Sequence, residues 1–473
     1  MMAFFKTKPL RMCAMPADHQ HAMIRSLGLG RLTFLGIGSI LGAGVFVLTG
    51  IAAANYAGPA IVLSFAAAGT LCILVGLAYG ELASMIPATG SAYAYTFTAL
   101  GEGMAFLSAW SLLLAYTVTA SVVAVGFSSY FSGVMASFGM PLPEYLLSTP
   151  FDGGAVNLPA AVIVLLLMLV LIRGTRESAA LNMILISVTL FAIASFIIMG
   201  IPHINRENIE PFLPFGWEGV GAGAAIVFFS FMGFDTVATS AEECKNPEKD
   251  LPIGIFLSVF ICMLLYIGVS LTATLLLPYT ELNRADPVAF ELRAIGQTGL
   301  ADFVSIGILA GMITTLLVYN YGQSRIFFAV ARDGFLPVSI CKLHKSFKTP
   351  YITTIIGAAA IALIAGFFPL AYIVELANTG TLAVFLLIFV ALLAMRRKYP
   401  EEVRKFRFPF AYVFAPVGIL ACAYMICALS ILTNLVYLCW MALGLIIYYT
   451  YSVRSRKWDK GISDSLLTEE DVK

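Results

Sequence analysis

The chain has 473 residues, of which 60% are hydrophobic and only 12% charged, with a formal net charge of +1 and a mean hydropathy of +0.91. About a quarter of an ordinary globular chain is charged, so these figures exclude a water-soluble surface and call for a bilayer as solvent. The balanced charge, without a long basic block, excludes a nucleic-acid partner, and eight cysteines with no C-x-x-C pair read as small apolar helix residues and not as a disulfide or metal framework.

A spanning helix needs about 20 mostly apolar residues. Residues 1–30 carry Lys6, Lys8, Arg11, Asp18 and Arg25 and do not read as a secretory signal. Apolar runs then fall at 32–54, 59–86, 103–134, 155–172, 178–201, 219–241, 253–277, 300–328, 351–367, 371–395, 411–431 and 433–452. Helices are expected because lipid cannot satisfy bare backbone groups, and the short alternating strands of a membrane barrel are missing. With the N-terminus inside, every Lys and Arg except Arg206, Arg284 and Arg293 falls on the cytoplasmic side. That partition predicts cytoplasmic termini and a multi-pass protein of the cell (inner) membrane. The basic segment 396–410 reads as a positive-inside anchor.

Two spans break helix rules. The first reads Gly36-Ile37-Gly38-Ser39-Ile40-Leu41-Gly42-Ala43-Gly44-Val45-Phe46, and each helical glycine costs about 1 kcal/mol relative to Ala. Gly38 and Gly42 fit a G-x-x-x-G packing face; the run also fits an unwound segment. The sixth span reads Phe228-Phe229-Ser230-Phe231-Met232-Gly233-Phe234-Asp235. A carboxylate there is expensive, and either functions or caps exposed backbone donors.

No G-x-x-x-x-G-K-[ST] or H-E-x-x-H motif is present. His19, His21, His203 and His344 fall in tails or loops. No enzyme activity, cofactor, ATP dependence or metal is expected. Interrupted spans at matching positions of two five-span halves are instead the sequence mark of a transporter site. Freed N–H ends favour a carboxylate and freed C=O ends an ammonium, which suits a zwitterionic amino acid.

The first-span glycine run, Gly80-Glu81-Leu82-Ala83-Ser84-Met85-Ile86-Pro87-Ala88-Thr89-Gly90-Ser91-Ala92-Tyr93, Gly233-Phe234-Asp235, Glu242 to Pro247, Pro252 to Ile255, Tyr321 to Arg325 and Arg332 to Pro337 together resemble the amino acid–polyamine–organocation superfamily. They are closest to the bacterial, twelve-helix form of its cationic amino acid transporter branch. The resemblance implies an all-α membrane fold of the leucine-transporter type. Its inverted five-plus-five repeat would fall at 31–201 and 202–395, with two added helices over 396–452 and cytoplasmic ends at 1–30 and 453–473. It implies alternating access, with the substrate carboxylate on backbone N–H groups of Ala43, Gly44 and Val45. The ammonium would meet carbonyls near Ile40, Phe229, Ser230 and Met232. Phe229 would be an aromatic gate, and Tyr319 and Asn320 would line the side-chain pocket.

Three departures refine this. Ala43 replaces a frequent Ser or Thr. Thr189 stands near a lysine of many proton-coupled members. Between Trp110 and Gly126 there is no charge, whereas members taking cationic substrates carry an acid near Ala115. A small neutral L-amino acid is therefore the expected substrate, with proton or sodium coupling open. A cationic amino acid or polyamine is the alternative, and a transporter-like membrane sensor the reading from another class. Glu81 is expected to fix helix ends, Asp235 to serve structure or coupling, Glu242 and Glu243 to be a solvated pair and Glu375 to sit at an outer mouth. Thr314 and Thr315 are expected to pack through backbone bonds, with sodium ligation as the sharper reading.

Overall fold

Apolar runs in lipid must satisfy their backbone groups internally, and in the computed structural model they do so by coiling. The structure describes residues 4–9, 27–86, 90–173, 178–241, 244–284, 286–342, 344, 347 and 349–453, and contains helices but no β-strand among them. Nine of the described helical runs are long and apolar enough to cross a membrane. One of them, Leu29–Met85, contains the predicted span 32–54 and all but the last residue of 59–86, and two shorter apolar helices, Leu158–Arg173 and Tyr351–Phe367, overlap the predicted 155–172 and match 351–367.

The α-helices of five or more residues are, in chain order, α1 (Leu29–Ile40), α2 (Ile61–Met85), α3 (Ala92–Ala99), α4 (Glu102–Ser137), α5 (Leu158–Arg173), α6 (Ser178–Gly200), α7 (Gly216–Val227), α8 (Asp235–Thr239), α9 (Pro247–Leu276), α10 (Pro287–Ala294), α11 (Thr298–Arg332), α12 (Tyr351–Phe367), α13 (Leu370–Lys398), α14 (Ala411–Ala428) and α15 (Ile431–Ile447). Gly58 turns the chain into α2 with φ +60, a conformation that favours glycine. Two short helices, α3 and α10, lie between the predicted spans. A helix predicted over 253–277 starts earlier, at Pro247, because a proline is tolerated in a first turn.

The core is formed where α2, α4, α9, α11 and α13 pack around α1, α7 and α8. At the rim, α15 is tied to α4 by two tryptophans. Their rings stack at 4.5 Å, Trp110 Nε1 donates to Trp440 O at 2.9 Å and Trp440 Nε1 donates to Trp110 O at 3.1 Å. One face of α14 and α15 is exposed and rich in Leu, Val and Tyr, as befits a surface solvated by lipid tails. Near the N-terminus, Glu102 N donates to Lys6 O and Gly103 N to Phe4 O, both at 2.9 Å, so residues 4–9 lie along the start of α4.

Candidate functional site

The site begins with two interrupted helices. The chain leaves α1 after Ile40, passes Leu41 at φ −73, ψ 65, and coils again from Gly44 in three successive pieces, Gly44–Leu48, Thr49–Ala52 and Ala53–Ala57, the outer two wound in wide π turns. The chain leaves α7 after Val227, tightens through Phe228–Phe231, extends at Met232 and turns at Gly233 with φ +115 before α8. The first N–H groups of a resumed helix have no partner within it, so each break is polarised.

The two breaks abut. A Cβ on Gly44 would collide with Ser230, and one on Gly233 would lie 2.5 Å from Ser39 O. Ser39 Oγ donates to Gly233 O at 2.9 Å. From α9, the Tyr266 hydroxyl lies 2.8 Å from Ile40 O and 2.9 Å from Ser230 O, and so holds the carbonyls of both breaks. Two of the carbonyls expected to meet a substrate ammonium thus already share a donor. The Phe229 carbonyl accepts from Met232 N at 3.1 Å. Ala43 packs against Gly126 of α4, and Phe229 and Met232 are buried.

Asp235 opens α8 and is buried, with its carboxylate accepting a 2.5 Å hydrogen bond from the Tyr116 hydroxyl of α4. Tyr116 in turn meets Tyr319 edge to face at 5.2 Å. Tyr319 and Asn320 come from α11. Among the described residues the Tyr319 hydroxyl, both side-chain polar atoms of Asn320, and the hydroxyls of Ser230 and Thr314 are buried without a hydrogen-bond partner. An unmet buried polar atom costs about 1–3 kcal/mol; of these residues Ser230 belongs to the second break, Thr314 faces Gly38 of α1 and Tyr319 meets Tyr116.

Beside α1, Thr315 Oγ1 donates to Gly38 O at 2.9 Å and Thr189 Oγ1 to Gly307 O at 2.8 Å. Gly38 faces Ile186 and Thr314, and Gly42 faces Thr315. Both readings of the glycine run therefore hold together: close packing up to Gly42, a break after Ile40.

The remaining acids separate. Glu81 lies away from the breaks, buried, accepting from Arg396 Nε at 2.9 Å and Nη2 at 2.6 Å and from Phe408 N at 2.7 Å, with Arg404 Nε at 3.1 Å. Two basic residues of the predicted anchor are thus buried partners of one carboxylate. Glu375 Oε2 accepts from Thr433 Oγ1 at 2.7 Å. Glu242 and Glu243 lie outside the described residues. Ala115 packs against Gly380 of α13. Sequence reasoning missed Tyr266, a tyrosine among apolar residues with no motif to mark it, and Glu291 of α10, which is fully buried.

An all-helical, strongly apolar bundle built around two abutting helix breaks defines a multi-pass membrane permease. The chain belongs to the amino acid permease family, whose pattern matches residues 27–456. It is 41% identical over 454 residues to the methylthioribose transporter of Bacillus subtilis (strain 168), covering 96% of this chain and 98% of that one. It is 40% identical over 461 residues to the branched-chain amino acid permease BcaP of the same organism, covering 96% and 98%. With the vacuolar cationic amino acid transporter 4 of Arabidopsis thaliana it shares 34% over 398 residues, covering 82% of this chain and 66% of the relative.

Proposed function

We propose that this permease carries a small neutral, predominantly apolar L-amino acid by alternating access around the two breaks. Twelve spans, arranged as inverted halves 31–201 and 202–395 with two further helices over 396–452, would leave both termini in the cytoplasm. The substrate carboxylate meets the N–H groups of Ala43, Gly44 and Val45. The ammonium meets the Phe229 and Met232 carbonyls and takes its place beside Tyr266 at those of Ile40 and Ser230. Tyr319 and Asn320 line the side-chain pocket, with Phe229 as the gate. The observation that carries this reading is the abutment of Gly44 on Ser230, whose hydroxyl lacks a partner among the described residues.

Charge decides the substrate class. Asp235 is engaged by a tyrosine hydroxyl, and Ala115 supplies no carboxylate where cationic-substrate relatives carry one. The branched-chain permease similarity supports an apolar side chain. Thr189 bonds to backbone oxygen, so coupling through an amine at that position is absent and the proton or sodium dependence must enter elsewhere. A second reading rests on the 41% identical methylthioribose transporter: the hydroxyls of a thiosugar would meet Ser230, Tyr319 and Asn320 equally well.

The test is counterflow in liposomes preloaded with unlabelled amino acids, read with labelled leucine, alanine, arginine and methylthioribose. Leucine or alanine accumulation supports the proposal. Accumulation of arginine or methylthioribose alone overturns the substrate assignment. Gly44→Leu, which drives a side chain into Ser230, should abolish counterflow while the protein remains folded; intact counterflow would remove the site.

A further inference from the structure

Outside the two breaks, one side chain stands apart. Glu291 on α10 is fully buried, and among the described residues neither of its carboxyl oxygens has a hydrogen-bond partner. α10 is a short helix between the seventh and eighth predicted spans, and it seats on the resumed part of the first. A Cβ on Gly50 would meet Leu282 O and would lie 2.8 Å from Pro287 Cβ. Pro287 and Glu291 are four residues apart and so share one helix face. Just below, the Tyr130 hydroxyl of α4 donates to Phe46 O at 2.7 Å. With Gly133 of α4 facing Asp286 and Arg293, these contacts bring α10, the resumed first span and α4 together.

The charged neighbours do not serve Glu291. On its own helix, Arg293 lies 3.3 Å from Asp286 and, toward α11, 3.5 Å from Asp302. Arg284 stacks on the Phe290 ring at 3.8 Å. From α4 the nearest ionisable group is Tyr130, which feels the charges of Asp286, Glu291 and Arg293. Residues 44–57 carry no ionisable group but Tyr56, and the described outer turns of α6 and α9 carry none. Burial without a partner pushes the Glu291 carboxyl well above the usual carboxylate range, as desolvation of the charged form requires.

We propose that Glu291 is a proton-operated latch on the outer side of the permease: α10 seats on the first span only when this carboxyl is neutral, so closing that side takes up one external proton and reopening returns it. The ionised form cannot be buried unpaired without a large penalty; when α10 lifts, water reaches the carboxyl and the proton leaves. Raising external pH therefore favours the open form, and the ratio of open to closed changes by up to about tenfold per pH unit, the limit for one linked proton. The latch rests on the alternating-access reading above for its role in transport, but not for its detection.

Two readouts separate the latch from that reading. The first needs no transport. An Ala289→Cys variant, whose position is 1% exposed on the same helix, is treated from outside with a membrane-impermeant maleimide across external pH, with the unsubstituted protein as background. Thiol reactivity itself rises with pH, so the rate is divided by that of Ala289→Cys combined with Glu291→Met. The ratio should rise up to about tenfold per pH unit. A flat ratio overturns the proposal. The second readout is leucine counterflow in right-side-out vesicles with a fixed interior pH. Wild type should slow as external pH rises, Glu291→Gln and Glu291→Met should be insensitive to it, and Glu291→Asp and Asp286→Asn should keep the dependence. Retention of the dependence by Glu291→Met overturns the latch. A pH-dependent labelling ratio without counterflow leaves the latch standing and counts against the transport reading alone.

Discussion

Glu81 and Glu291 are both fully buried, and they could hardly be less alike. Glu81 of α2 is bonded by Arg396 and by Phe408 N and lies against Arg404, which ties α2 to the end of α13 and to the segment leading into α14. Glu291 has no such partner among the described residues. A carboxylate surrounded by donors resists separation of the elements it joins. A carboxyl with none is stable in place only while neutral, so its element can be released by the loss of a proton. Equal burial thus serves a fixed joint in one region and a releasable one in the other.

The comparison can be broken first at the fixed joint. Glu81→Leu leaves Arg396 and Arg404 buried without their anion, and loss of one partner of a buried pair costs about 3–5 kcal/mol. Thermal unfolding in detergent should fall sharply, and little change would mean that the cluster does not hold the helices. Glu291→Met should do the opposite. It removes an unmet polar group in exchange for an apolar one of similar length, a change that is neutral or stabilising by about 1 kcal/mol. The pH dependence sharpens the contrast. Because the native carboxyl of Glu291 holds its proton above the ordinary carboxylate value, the folded state binds more protons than the unfolded one above about pH 4.3, and stability should fall as pH rises from there toward the native value. That slope should be shallower in Glu291→Met. Asp286→Asn gives the smallest effect, since the Asp286–Arg293 pair is partly exposed and such pairs contribute about 0–1 kcal/mol; a larger loss would assign Arg293 a structural role beyond this contact.

Legibility from sequence followed the same division. The glycine run and the Gly233-Phe234-Asp235 turn announced broken spans because glycine density and an isolated acid both violate helix rules in lipid, and the chain does leave the helix after Ile40 and Val227. Glu81 could be singled out by its motif. Its partners could not: Arg396 and Arg404 sit in a basic stretch that the inside-positive pattern explains completely, and that pattern tells where a basic residue lies relative to the membrane, not whom it meets. Glu291 was invisible for the complementary reason. It falls in a mixed polar segment between spans, where a glutamate passes for a solvated loop residue until the packing of α10 shows that water is excluded. Tyr266 was hidden by its apolar neighbours, since nothing in the order of residues reveals which carbonyls a phenol will reach.

That phenol has a consequence of its own. The Tyr266 hydroxyl carries a single hydrogen, yet stands at bonding distance from Ile40 O and Ser230 O at once. Neither break can hold it fully while the other stays close. Drawing one carbonyl away hands the hydrogen wholly to its rival, which gains what the first gives up. The two broken spans are therefore competitors for one shared donor, and whichever yields first tightens the grip on its opposite number.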